Sequence, residues 1–123
     1  RTLVYANAGH PPAYLIGADG QIKHRMTRSG MPLGLHARTT YSSSPELPLT
    51  PGDILLLSTD GIEESVNVHG ELFGIERALE LVRANRGHSA QTLVKLLYQA
   101  VRDFAKDSPQ DDDVTAVVVK VLD

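Results

Sequence analysis

The 123 residues carry 12 Lys and Arg against 15 Asp and Glu, a net charge of -3 with His neutral, and 41% of them are hydrophobic. That balance describes one globular domain able to bury roughly two-thirds of its unfolded surface, and it excludes a disordered chain. It gives no footing for nucleic acid or an anionic membrane as partner, and the absence of cysteine removes disulfides, thiolate zinc sites and cysteine nucleophiles together.

The chain opens on Arg1-Thr2-Leu3-Val4-Tyr5-Ala6, with a strand expected over Leu3 to Ala6. A strand at the very first residues is what a segment of a longer protein would show. No apolar run is long enough to span a bilayer and no signal peptide opens the chain, so a cytoplasmic location is expected.

Asn7-Ala8-Gly9-His10-Pro11-Pro12 reads as a tight connection that no helix could cross, and Ala13 to Ile16 resumes as a strand. Gly17-Ala18-Asp19-Gly20 has hairpin chemistry, so Gln21 to Met26 should return antiparallel. Ser29-Gly30-Met31-Pro32-Leu33-Gly34 is a loop, followed by a polar strand around Thr39 to Ser43 on an edge or a solvated face. Pro51-Gly52 fits the two central positions of a type II turn. The apolar run Ile54 to Leu57 then reads as a strand buried on both faces.

Beyond Glu64 the period changes. Ile75, Ala78, Leu79 and Val82 fall on one helical face that runs to about Arg86. Gly87 breaks it, and Ser89 can cap a second helix whose stripe is Leu93, Leu96, Leu97, Ala100 and Phe104, with Lys106 near its end. Pro109 prevents continuation, and Val114 to Val121 forms a β-branched closing strand. Strands, two helices and a last strand predict an α+β fold with antiparallel β-sheets and flanking helices. The strands around Ile54 to Leu57 and Val117 to Val119 are too apolar for a solvated face, which calls for a second sheet.

Asp60 ends one apolar strand, and Asp111-Asp112-Asp113 precedes another. Should these strands be antiparallel neighbours, Asp60 and Asp112 meet at one edge of the sheet. Paired carboxylates repel unless a divalent cation neutralises them, and Mg²⁺ and Mn²⁺ favour such oxygens. On residue types alone a plainer alternative stands: a solvated turn at Asp111 to Asp113, and a helix cap at Asp60. No nucleophile elbow, paired-His helix motif or phosphate loop is present, and His10 is the one histidine in a constrained loop.

Asn7 to Pro12, Gly30 to Gly34, Gly52-Asp53 through Asp60-Gly61 with Glu64, Gly70-Glu71-Leu72-Phe73-Gly74 and Asp111-Asp112-Asp113-Val114-Thr115 occur in an order that resembles the PPM metal-dependent Ser/Thr phosphatases. The branch is the bacterial one typified by stage II sporulation protein E and regulators of sigma-factor partner switching. The resemblance covers the chain, but only the C-terminal portion of the family's four-layer α-β-β-α sandwich. It implies a two-metal Mn²⁺ or Mg²⁺ centre with Asp60 and Asp112 as metal ligands, and hydrolysis by metal-activated water without a side-chain nucleophile. Gly61, Glu64, His10 and Asp113 are implied to be adjacent to that site. The substrate implied is phosphoserine or phosphothreonine on a regulatory partner such as an anti-sigma-factor antagonist, with a sensor or receiver domain upstream. The family's Gly-Asp-x-x-Asp motif, which carries the acid bridging both metals, has no counterpart here, so the isolated chain is expected to bind Mn²⁺ poorly and turn over little. A second reading is a degenerate phosphatase-like module that binds a partner protein or self-associates through unpaired strands.

Overall fold

The computed structural model describes residues 1–109 and 113–123. In chain order the elements are β1 (Thr2–Leu3), β2 (Ala13–Ile16), β3 (Ile22–Met26), β4 (Leu47–Pro48), β5 (Ile54–Ser58), α1 (Asp60–Glu63), α2 (Gly74–Ala84), α3 (Ala90–Phe104) and β6 (Ala116–Lys120). A four-stranded antiparallel sheet has the order β3-β2-β5-β6, and β1 pairs with β4 in a separate two-stranded sheet. The expected α+β architecture is therefore present.

β5 is central because it is the most apolar strand and can be covered on both sides. Its entry is fixed by the turn at Thr50–Asp53, where Gly52 has φ of 90° and the Asp53 amide donates to Thr50 O at 3.1 Å. Asp53 is almost fully buried, and its carboxylate accepts from Lys23 Nζ, the Thr50 amide and the Thr50 hydroxyl. Burial pushes this carboxyl up, but the Lys23 ammonium and the two Thr50 donors outweigh it and hold the group below its ordinary value. The turn is thus tied to the β2–β3 hairpin by an ion pair.

The sheet sorts its side chains with period two. Tyr14, Ile16, Ile54 and Leu56 face the helices and pack with Ala78, Leu79 and Val82 of α2 and Leu93, Leu97 and Val101 of α3. Both helices have a single apolar stripe, and burying a leucine such as Leu97 contributes about 2–3 kcal/mol. Ser89 caps α3 by accepting a hydrogen bond from the Thr92 amide. On the opposite face Ala13, Leu15 and Met26 are buried, with Leu3, Tyr5, Leu47, Leu49, Leu55 and Leu57 packed around them. β1 and β4 contribute Leu3 and Leu47 to that layer, a small version of the expected second sheet, while Val117 and Val119 of β6 stay about half exposed. Accordingly β5 is buried on its helix-facing side and only partly on the other, not on both as its composition suggested.

Several boundaries differ from the sequence reading. The first strand occupies Thr2–Leu3 rather than Leu3 to Ala6, and no strand forms over Thr39 to Ser43. Without a partner strand the Thr, Tyr and Ser there run irregularly, and the contact to the first segment is made instead by Ser44, whose amide donates to Tyr5 O and whose hydroxyl accepts from the Tyr5 amide. α2 ends at Ala84, two residues short of Arg86, and α3 ends at Phe104, before Lys106. β6 begins at Ala116 because Thr115 is engaged with Thr59.

Candidate functional site

β5 and β6 are antiparallel neighbours, with Ser58 opposite Ala116. The condition on which two strand-end acids would meet is satisfied. Beyond the last ladder pair, the Thr59 amide donates to Thr115 O at 3.0 Å and the Thr115 amide donates to Thr59 Oγ1 at 3.2 Å. Thr59 occupies the cap position of α1, but its hydroxyl is spent on Thr115 and makes no cap hydrogen bond. Asp60 is not the cap, as the plainer alternative had it; it is the first helical residue, with its side chain exposed.

Gly61 explains why an acid and a glycine follow one another here. A Cβ at this position would lie 2.0 Å from Asp113 O and 3.0 Å from Asp113 C. Only a glycine lets the start of α1 close onto the backbone that enters β6. Asp113 is thereby placed beside the Asp60-Gly61 step, whereas Asp112 lies outside the described residues.

A cavity of about 430 Å³ opens beside Asp60. Gly9, His10, Pro11 and Pro12 line one side, and Arg25, Thr27 and Arg28 line another. The first loop is held by Asn7, whose Oδ1 accepts from the His10 amide at 2.8 Å and whose Nδ2 donates to His10 O and Met26 O. Gly9 has φ of 85°, and a Cβ there would meet the Pro32 ring at 2.7 Å. Ala8 also bridges to Gly30, so the Asn7–Pro12 and Gly30–Gly34 motifs pack directly on one another. His10 Nδ1 lies 2.8 Å from Pro11 O, which can only accept, so Nδ1 is the donor in that contact.

His10 and Asp60 thus share one cavity. Glu64 is exposed at the end of α1 and does not line it. Four residues near Asp60 escaped the sequence reading: Arg25, Thr27, Arg28 and Glu63. Arg28 directly precedes the Ser29-Gly30 loop, a proximity that sequence could have flagged; the others converge only in three dimensions. Burial, reinforced by Glu64 and Asp60 and opposed by Arg25, pushes the Glu63 carboxyl above its ordinary value.

Asp60 offers oxygen donors of the kind hard cations prefer, and its carboxylate takes part in no hydrogen bond or ion pair among the described residues. Those residues contain no group of three or more His, Asp or Glu able to enclose a cation. The donor chemistry of Asp60 suits a divalent cation, and the described residues alone do not enclose one.

The profile of the family Stage II sporulation protein E (SpoIIE) matches residues 1–122. Protein IcfG of Synechocystis sp. (strain ATCC 27184 / PCC 6803 / Kazusa) is 33% identical over 118 residues, which are 95% of this chain and 18% of that protein. The SiaA-PP2C domain of Pseudomonas aeruginosa superposes with a TM-score of 0.79 at 25% identity, covering 100% of this chain and 47% of that one. The PP2C phosphatase domain of SpoIIE from Bacillus subtilis, solved with a fragment of its regulatory domain, gives a TM-score of 0.76 at 22% identity, covering 98% of this chain and 34% of that one. The fold is that of PP2C phosphatase domains, and the chain spans less than half the length of each of these three relatives.

Proposed function

Since the chain belongs to the stage II sporulation protein E family, we propose that it is the C-terminal portion of a metal-dependent phosphatase domain acting on phosphoserine or phosphothreonine of a regulatory partner protein. The partner class is that of sigma-factor partner switching, an anti-sigma-factor antagonist, and the setting is cytoplasmic. The observation that carries this reading is Asp60, an exposed carboxylate without hydrogen bond or ion pair among the described residues, held at the sheet end where Gly61 meets Asp113.

Asp60 and Asp112 would hold Mn²⁺ or Mg²⁺, and when bound such ions supply the charge that acidifies a water and offsets the phosphoryl oxygens. The chain's own residues do the positioning. The Thr59–Thr115 hydrogen bonds fix the backbone directly before Asp60 against the segment entering β6, and Asn7 fixes the loop that brings His10 to the same cavity. With the acid of the Gly-Asp-x-x-Asp motif absent from these 123 residues, the centre is incomplete and the isolated chain has little activity.

The test is hydrolysis of p-nitrophenyl phosphate and of a phosphoserine protein by the full-length protein. Turnover should require Mn²⁺ or Mg²⁺ and fall by at least about a hundredfold in Asp60→Asn. A full-length protein that hydrolyses no phosphate ester with either ion overturns the proposal. Turnover by the isolated chain that Asp60→Asn abolishes would overturn the incomplete centre.

One observation favours a second reading, a non-enzymatic module that self-associates: Val117 and Val119 leave an apolar strip half exposed on the outer strand. Sedimentation of the chain as a strict monomer across a concentration series counts against it.

A further inference from the structure

Arg25 and Arg28 line the cavity that contains Asp60, and neither makes a hydrogen bond or an ion pair among the described residues. The other arginines show how unusual this is. Arg77 donates to Leu72 O and Phe73 O and lies over the Phe104 ring; Arg83 pairs with Glu80; Arg86 donates to Ala18 O; Arg102 donates to the Tyr98 hydroxyl; Arg1 donates to Leu122 O. Apart from these and Arg38 in the long loop, Arg25 and Arg28 are the remaining two, and both sit at the same cavity. Two like charges lining one cavity repel, and in a protein of net charge -3 they make a local cationic spot. Arg25 is close enough to Glu63 to act on its carboxyl electrostatically.

We propose that Arg25 and Arg28 select substrates by pairing with acidic side chains that flank the phosphorylated residue. The inference rests on the phosphatase reading, which places the phosphoryl group at Asp60. In an extended peptide each residue advances about 3.3 Å, so carboxylates within about three residues of the phosphorylated one reach across the cavity mouth. Guanidinium and carboxylate match as planar, bidentate partners. Asp60 disfavours an acid at the cavity's other side, so the arginines also set the direction in which the peptide lies.

The experiment uses the full-length protein and two labelled phosphoserine peptides, one flanked by Glu and one by Lys. Binding is read by fluorescence anisotropy without divalent ions, and kcat/KM is read with Mn²⁺ for both peptides and for p-nitrophenyl phosphate. The expected result is a preference of roughly tenfold for the Glu-flanked peptide, weakening as salt rises. Arg25→Glu with Arg28→Glu should abolish or invert it, and Arg25→Gln with Arg28→Gln should reduce it, while kcat/KM for p-nitrophenyl phosphate stays within about twofold. Absence of a flank preference in the parent, or its survival in the double Glu variant, overturns the inference. An equal loss on p-nitrophenyl phosphate also overturns it and assigns the arginines to the phosphoryl group. Failure of the parent to hydrolyse any ester would sink the phosphatase reading alone, and the binding preference would still decide the role of the arginines.

Discussion

Replacing Gly61 by Ala adds one methyl group at the closest backbone approach near the site. That methyl would stand 2.0 Å from Asp113 O, where ordinary contacts begin at 3.4 Å. The obstructing atom belongs to the backbone, so no side-chain rotation relieves it. The start of α1 must move away from the segment entering β6, and the hydrogen bonds between Thr59 and Thr115 stretch with it. Overpacking of this kind costs about 1–3 kcal/mol, and weakening those hydrogen bonds adds about 1 kcal/mol, for a loss of about 2–4 kcal/mol. Urea unfolding of the 123-residue chain, followed by circular dichroism, reads this directly. With a slope of about 1–2 kcal/mol per molar expected for a chain this small, the midpoint should fall by at least about 1 M. Gly87→Ala is the control. Its Cβ meets nothing within 4 Å, so the change should be neutral or stabilise by about 0.4–1 kcal/mol through the unfolded chain. A Gly61→Ala chain within about 0.5 kcal/mol of the parent would refute the steric argument.

Asp53→Asn removes the charge that pairs with Lys23 inside the turn and should cost about 1–3 kcal/mol at pH 7. Because the folded-state value of Asp53 lies below its ordinary 3.8, its stabilisation is present above that value and disappears as pH falls through the lower one. The stability gap between parent and variant should therefore shrink on going from pH 7 to pH 3, and a gap constant with pH would count against the assignment. Ser89→Ala should lower stability by about 1 kcal/mol through loss of the α3 cap, read from the same urea midpoints; an unchanged midpoint would show that the hydrogen bond to the Thr92 amide contributes nothing.

The elements that could be read from sequence are those whose signals are local. Gly17 to Gly20, Pro51-Gly52 and Ser89 each mark a boundary within a few residues, and the stripes of α2 and α3 repeat often enough to define a face. Thr39 to Ser43 misled because β-propensity describes how well a residue fits a paired surface, and no strand lies beside it. α1 has four residues, too few for a period to show. At the site, Asp60 was visible as a strand-end acid, and the β5–β6 register supplied the neighbourhood that sequence could only state conditionally. Arg25 and Glu63 were not visible, because nothing in their chain neighbours says that a hairpin strand and a one-turn helix end beside the same cavity.

The hydrogen bonds between Thr59 and Thr115 join residues 56 apart in the chain, with α2 and α3 between them. Closing so long a loop is entropically costly, and contacts of this kind form after local hairpins and helices have condensed. β6 should therefore be the last strand to dock during folding. A refolding chain would regain its helices, and even the β2–β3 hairpin, before Asp60 acquires its place. Intermediates on this route would carry near-native circular dichroism and an unassembled site.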